Sequence, residues 1–354
     1  MSEFNCTTCG KTVSEETKQE TCGSCSGNPL NQIPHLDNTK RSSFRKCPRK
    51  YYYQYILNLK TFFGSTALRY GLTWHAGMEA FYQDIMDRGW TRDGKAFEKG
   101  VQAMQDEWKS ASSKENFYDD YRTLENCINS FLLYMNHYAG DEGSLVVTGT
   151  EQPFKVHMEI ENEEESKFFP GLKPFHFTGK IDLEVELSGR TWIKEHKTTG
   201  QALDTQEKRL HRSAQVMGYM YSIIRRNGTR KDAPDGALIS IHHLSATKSR
   251  KVGNEGNYGA PRIDFRRVPQ IFSDNDLVQW RRSFMSTALD IQLEVERNLW
   301  PMSHDNCFDY GSCPFLQMCE QNQSVEHLHI DTSKYYIGEP WEVAKDVTAE
   351  GVIF

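Results

Sequence analysis

No apolar run in this 354-residue chain approaches the ~20 residues needed to cross a bilayer, and no secretory signal opens it. A membrane-spanning or secreted protein is therefore not expected. Positive charge is also short: 42 Lys and Arg stand against 48 Asp and Glu, a net charge of -6. That excludes a surface coated in positive potential. It does not exclude nucleic acid, because local clusters decide contact and metal-ligating carboxylates inflate the negative count. Much of the acidity sits in one stretch, Glu159, Glu161, Glu163, Glu164 and Glu165, which reads as a solvated loop able to repel DNA. With 25% charged and 38% hydrophobic residues, the chain can bury one large core plus a small appendage.

Cysteine is scattered almost nowhere; eight of the nine cysteines fall near the two ends of the chain. Cys6, Cys9, Cys22 and Cys25 form two C-x-x-C pairs, the pattern of knuckles that hold one tetrahedral Zn²⁺. Gly10 and Gly23 follow Cys9 and Cys22, where knuckle turns want them. The reading is a zinc ribbon over 1–26 and a Gly/Pro linker over 27–40. Cys47 comes early, and Cys307, Cys313 and Cys319 come late. Cys127 alone lies in an apolar helical run and reads as core. Without a secretory signal, clustered thiols imply metal ligation in a reducing compartment rather than disulfides.

Residues 175–187 alternate apolar and polar, with Phe175, Phe177, Ile181, Leu183, Val185 and Leu187 on one face. Lys180, Asp182, Glu184 and Glu186 occupy the other, as in a half-buried strand. Ser188-Gly189 is a two-residue turn, and 191–198 returns as a second strand. If Leu187 pairs with Arg190, Asp182 falls opposite Glu195, at a Cβ separation of about 5 Å. Two carboxylates that close repel unless a cation sits between them. Lys197 projects to the same face as Glu195. Such a set suits metal-dependent phosphodiester hydrolysis: acids hold Mg²⁺ or Mn²⁺, and an ammonium stabilises charge on the transition state. The alternative is a surface hairpin carrying ordinary charges.

Gly179-x-x-Asp182, Glu195-x-Lys197, Gln215-x-x-x-Tyr219 and Gly71-x-x-x-His75-x-x-x-Glu79 occur with suitable spacing. Together they resemble the PD-(D/E)XK nuclease superfamily in its RecB-like branch, over about residues 42–320. The resemblance implies an α/β, restriction-endonuclease-like core, a small mixed sheet flanked by helices, spanning 41–323. It implies metal ligation by His75, Asp182, Glu195 and the main-chain carbonyl of His196. Asp182, Glu195, Lys197, Gln215 and Tyr219 become the catalytic set, with Lys197 protonated and Gln215 and Tyr219 positioning the strand or the lysine. Glu151 is a supporting acid. The early cysteine and three late ones, Cys47, Cys307, Cys313 and Cys319, resemble the [4Fe–4S] staple of AddB-type and CRISPR-associated relatives. The gap of five between Cys307 and Cys313, where relatives favour two, leaves zinc open.

Along the chain, the basic and aromatic stretch Arg41–Tyr53 suits phosphate contact through Arg45 and Lys46. Most of its tyrosines are expected to pack. Helices are expected over 66–88, 93–111, 117–139, 203–226 and 274–298, and strands over 144–158, 236–244 and 262–269. Lys208, Arg209, His211 and Arg212 lie on the wetter side of their helix, as a DNA-backbone contact or simply a solvated face. Residues 324–354 read as a tail without catalytic signature. The function implied is a DNA exonuclease acting on single-stranded ends, in a bacterial or phage-infected cytoplasm, with a recombination, replication or helicase partner. A structure- or sequence-selective endonuclease and a non-catalytic DNA-binding adaptor are the rivals.

Overall fold

The computed structural model describes the backbone of Glu3–Asn5 and Thr12–Ser14, and residues 35–340 except 115–116, 118–119, 250–256, 310–311, 323 and 326–327. The expected zinc ligands Cys6, Cys9, Cys22 and Cys25 and the residues from Trp341 onward lie outside the described residues. In chain order the elements are β1 (Glu3–Asn5), β2 (Thr12–Ser14), α1 (Asn38–Lys46), α2 (Pro48–Tyr51), β3 (Leu59–Thr61), α3 (Thr66–Arg88), α4 (Lys95–Lys114), α5 (Leu124–His137) and β4 (Leu145–Met158). There follow α6 (Glu163–Phe168), β5 (Phe175–Leu187), β6 (Arg190–Thr199), α7 (Leu203–Leu210), α8 (Ala214–Asn227), β7 (Gly236–Ser245) and β8 (Arg262–Gln270). The last are α9 (Asp274–Arg297), α10 (Leu316–Gln321) and β9 (Tyr335–Ile337). No helix among the described residues is long and apolar enough to cross a membrane.

The chain divides into two compact units. Among the described residues, the larger holds Phe62–Val156 and Thr178–Arg282; the other holds those through Thr61, His157–Phe177 and residues 283–340. Among the described residues the main sheet has five strands in the order β4-β5-β6-β7-β8. β5 and β6 are antiparallel in the expected register, from Leu187↔Arg190 to Leu183↔Lys194. Ser188 and Gly189 make the turn with φ of 55° and 71°, the left-handed pair that suits the twist of a tight hairpin. β6 and β7 are parallel, which demands a crossover, and α7 and α8 supply it. With β5 on one side and β7 on the other, β6 is a central strand, buried on both faces from Trp192 to His196. The result is a mixed α/β fold of the restriction-endonuclease-like kind.

One helix was expected over 203–226; the chain makes two. Ser213 breaks the run, because its hydroxyl accepts from the backbone N–H of Val216 and caps a fresh helix, α8. The core of this unit joins Trp74, Met78, Phe81 and Tyr82 of α3 to Met104, Phe131, Tyr134, Leu183, Val185 and Leu238. His75 and Glu79 lie beside this packed flank of α3, not within it.

In the other unit the basic-aromatic stretch packs, as expected for its tyrosines. Tyr51 and Tyr53 are fully buried; Tyr51 stacks on Trp300 at 6.1 Å, and Tyr53 packs with Leu59, Phe315, Met318 and Tyr335. The stretch from 324 contributes β9, whose Tyr335 pairs with Thr61 of β3.

Gly179 shows why the first residue of its motif carries no side chain. A Cβ there would overlap the Phe154 ring, which in turn meets Tyr219 edge-on at 5.9 Å. The bare backbone of β5 lets Phe154 lie against it and steady α8. Gly179→Ala is expected to cost about 1–3 kcal/mol through overpacking, read as a lower midpoint in urea unfolding; an unchanged midpoint would show that the ring is not pinned there.

Candidate active site

Four elements bring the motif residues to one place. β5 carries Asp182, β6 carries Glu195, His196 and Lys197, α3 carries His75 and Glu79, and α8 carries Gln215 and Tyr219. α3 approaches closely because Gly71 has no side chain: a Cβ there would stand 3.3 Å from Thr198 Oγ1 at the end of β6. One turn later His75 Nδ1 reaches to 3.3 Å from Asp182 Oδ2. That same oxygen accepts the main-chain N–H of His196 at 2.8 Å.

Lys197 is held by two groups. Its Nζ donates to Glu195 Oε1 and to Gln215 Oε1 at 2.8 Å. Gln215 Nε2 donates to Glu195 Oε1 at 3.0 Å and meets the Tyr219 hydroxyl at 2.6 Å. The Gln-x-x-x-Tyr pair, one helical turn apart, thus fixes the lysine. The other oxygen of Glu195, Oε2, is buried and has no hydrogen-bond partner, which suits an acceptor awaiting a cation.

Among the described residues, one group has metal-ligand atoms within 4.8 Å of one another: His75, Glu151 and Asp182. The structure therefore gives Glu151, only a supporting acid in sequence, a place nearer to His75 and Asp182 than the hairpin alone suggested. Its backbone takes φ 44°, a costly conformation for a glutamate that tends to mark functional positions. Lys180 of β5 pairs with it. No periodicity in β4 announces that conformation. The only sequence signal was an acid ahead of Gln152-Pro153. His196 turns its ring to the opposite face from Glu195, stacked 5.9 Å from Tyr82, so only its main chain faces the acids.

The electrostatics follow from burial. Burial, then the neighbouring Asp182 charge, pushes the Glu195 carboxyl up to about 7. Burial and Asp182 likewise push Glu151 to about 7 against the pull of Lys180. Asp182 rises to about 6, burial outweighing Lys197 and the His196 N–H. Burial opposes the charge on Lys197, yet Glu195 and Asp182 hold its pKa above the ordinary value, so it stays an ammonium. Burial lowers His75 and keeps it the neutral imidazole that a metal ion requires. A divalent cation would relieve three acids at once, so the donor set fits Mg²⁺ or Mn²⁺.

Arg45 and Lys46 are exposed in the last turn of α1. Lys208 is exposed on α7, Arg209 bonds Gln201 Oε1 at 2.7 Å, and Arg212 pairs with Asp276.

In the other unit, Cys47, Cys307, Cys313 and Cys319 are free thiols. Burial, then Cys313 and Cys47, raise the Cys307 thiol; burial, then Cys47, push Cys319 up to about 11. Hydrogen bonds from Asn306 Nδ2 to Lys46 O at 2.7 Å and from Arg49 Nε to Trp300 O at 2.6 Å join the same segments.

No curated protein sequence matches the chain. Among solved structures it is similar to a protein named "Putative exonuclease" from Eubacterium rectale, at 12% identity and a TM-score of 0.41, over 91% of this chain and 97% of that one. It is also similar to SSO0001, at 9% identity and a TM-score of 0.25, over 64% of this chain and 75% of that one. At those scores neither likeness bears on function. The family model of the PD-(D/E)XK nuclease superfamily, in contrast, matches residues 38–320. That match spans well over half of the chain, so this protein is a nuclease of the PD-(D/E)XK superfamily.

Proposed function

We propose that this nuclease hydrolyses DNA from single-stranded ends, with His75, Glu151, Asp182 and Glu195 and the main-chain carbonyl of His196 holding Mg²⁺ or Mn²⁺. The observation that carries the reading is the meeting of His75, Glu151 and Asp182 within 4.8 Å beside a lysine clamped by Glu195 and Gln215. The bound ion supplies Lewis acidity and lowers the pKa of water. The chain's own residues do the rest. Lys197, kept charged by its two acids, faces the non-bridging oxygens, where negative charge accumulates as water adds to phosphorus. Gln215 holds that ammonium in place, and Tyr219 holds Gln215. Lys208, exposed on α7, would meet backbone phosphates, with Arg209 beside it bonded to Gln201. The preference for single-stranded ends rests on resemblance to the RecB-like branch.

Asp182→Ala and Lys197→Ala are each expected to lower cleavage of end-labelled single-stranded DNA by about 100-fold or more while DNA binding persists. Circular single-stranded DNA should stay intact under the same conditions. Cleavage at parental rates by both variants would sink the site, and nicking of the circle would sink the exonuclease mode.

The raised carboxyls link stability to pH. Asp182, Glu195 and Glu151 bind protons more tightly folded than unfolded, so stability is full below their unfolded pKa values of 3.8 to 4.5 and falls as pH rises from there to about 7. In chelator, the melting temperature should therefore drop across that interval, and Mg²⁺ or Mn²⁺ should restore it more at the upper end than at the lower. A metal effect independent of pH would contradict this.

For the four thiols we favour an iron–sulfur cluster that staples segments far apart in sequence. Anaerobically purified protein should carry iron and acid-labile sulfide, and Cys313→Ser should lose both. Stoichiometric zinc in their place would overturn the assignment.

A further inference from the structure

Just past the catalytic strand lies a second group of side chains that the hydrolytic site does not use. β6 ends at Thr199, and Gly200 follows, three residues beyond Lys197. A Cβ on Gly200 would stand 2.9 Å from Arg122 Nη2 and 3.0 Å from the Tyr121 hydroxyl, so both side chains reach the backbone there. The Tyr121 ring meets the Tyr258 ring at 5.3 Å and 62°, and the Arg122 guanidinium lies 4.5 Å from the Tyr121 ring centre. Tyr258 is 37% exposed, and Lys248 Nζ sits 5.6 Å from its ring centre.

Backbone pairing holds Tyr258 beside Lys248. Lys248 and Tyr258 form an antiparallel bridge, flanked by bonds from Gly259 N to Thr247 O at 3.0 Å and Ser249 N to Asn257 O at 2.7 Å. Arg209 adds a cation one residue past Gly200 through its bond to Gln201. Among the described residues, Asp120 pairs with Arg122, Asp264 with Arg262, and Asp204 and Glu207 with Arg266. The group therefore combines exposed aromatic surface with cations, in a protein whose net charge is negative.

Aromatic rings beside cations bind single-stranded nucleic acid irrespective of sequence, because every base has a π-face to stack. A duplex keeps its bases stacked on one another, so only an unpaired base can reach such a ring. Gly200, where Tyr121 and Arg122 arrive, lies three residues past Lys197, about 10 Å of extended chain, a span of a few nucleotides. We propose that Tyr258, backed by Tyr121 and flanked by Lys248, is a stacking platform for an unpaired base of the DNA strand whose phosphate is cut at Asp182, Glu195 and Lys197. The platform rests on the nuclease reading of that site and names what would select a single strand there.

Binding without cleavage isolates the platform. In an Asp182→Ala background, fluorescence anisotropy would compare labelled oligothymidylate with an abasic strand of equal length. Tyr258→Ala should weaken oligothymidylate binding at least about fivefold and leave the abasic strand nearly unaffected, and Tyr258→Trp should restore the affinity. Lys248→Ala should weaken both strands alike and flatten their salt dependence. Equal losses on the two strands with Tyr258→Ala, or no loss on either, would overturn the proposal. Tight binding of oligouridylate with none of oligothymidylate would overturn the assignment to DNA. Failure of the parent protein to cut oligothymidylate in Mg²⁺ or Mn²⁺ would instead strike the catalytic reading, and the binding comparison would still decide the platform.

Discussion

Asp182, Glu195 and Glu151 carry like charge where water is largely excluded, and the neighbouring structure exists in large part to offset their repulsion. Lys197 answers Glu195, Lys180 answers Glu151, and the His196 N–H answers one oxygen of Asp182. What is left over appears as carboxyls raised toward neutrality and as one buried oxygen of Glu195 without a hydrogen-bond partner. An arrangement of this kind is poor for stability and good for gripping a cation, since unspent electrostatic energy becomes affinity. The left-handed backbone of Glu151 adds to that cost.

Rigid elements hold the arrangement. β6 pairs with β5 as far as Lys194 and with β7 through Glu195 and Lys197, so these two have little freedom to move apart. Two missing side chains set the approach of what surrounds it: Gly71 lets α3 bring His75 to Asp182, and Gly179 lets Phe154 brace Tyr219. Tyr219 and Gln215 then hold Lys197. Each contact is modest, yet the chain of them fixes an ammonium beside the acids, and reactivity depends on such positioning.

The other unit solves a different problem. It draws segments from the early, middle and late chain, and closing such long loops costs entropy. Buried aromatic packing around Tyr51, Tyr53 and Trp300 and hydrogen bonds from Arg49 and Asn306 meet part of that cost.

Strand alternation, a tight turn at Ser188-Gly189 and residue spacing were enough to read the hairpin and its register as far as Leu183↔Lys194, because a period of two leaves little choice of face. The helix bearing His75 and the packing of the early tyrosines were legible for similar reasons. Three features were not. The break at Ser213 depends on one hydroxyl finding one N–H, a competition that helical periodicity does not register. The place of Glu151 depends on a single left-handed residue and on which strand lies next to β5, and neither is encoded locally. The meeting of Tyr121 with Tyr258 joins residues 137 positions apart through a crossover and a hairpin. Local pattern determines which face a side chain takes; only the folded chain decides whose face it meets.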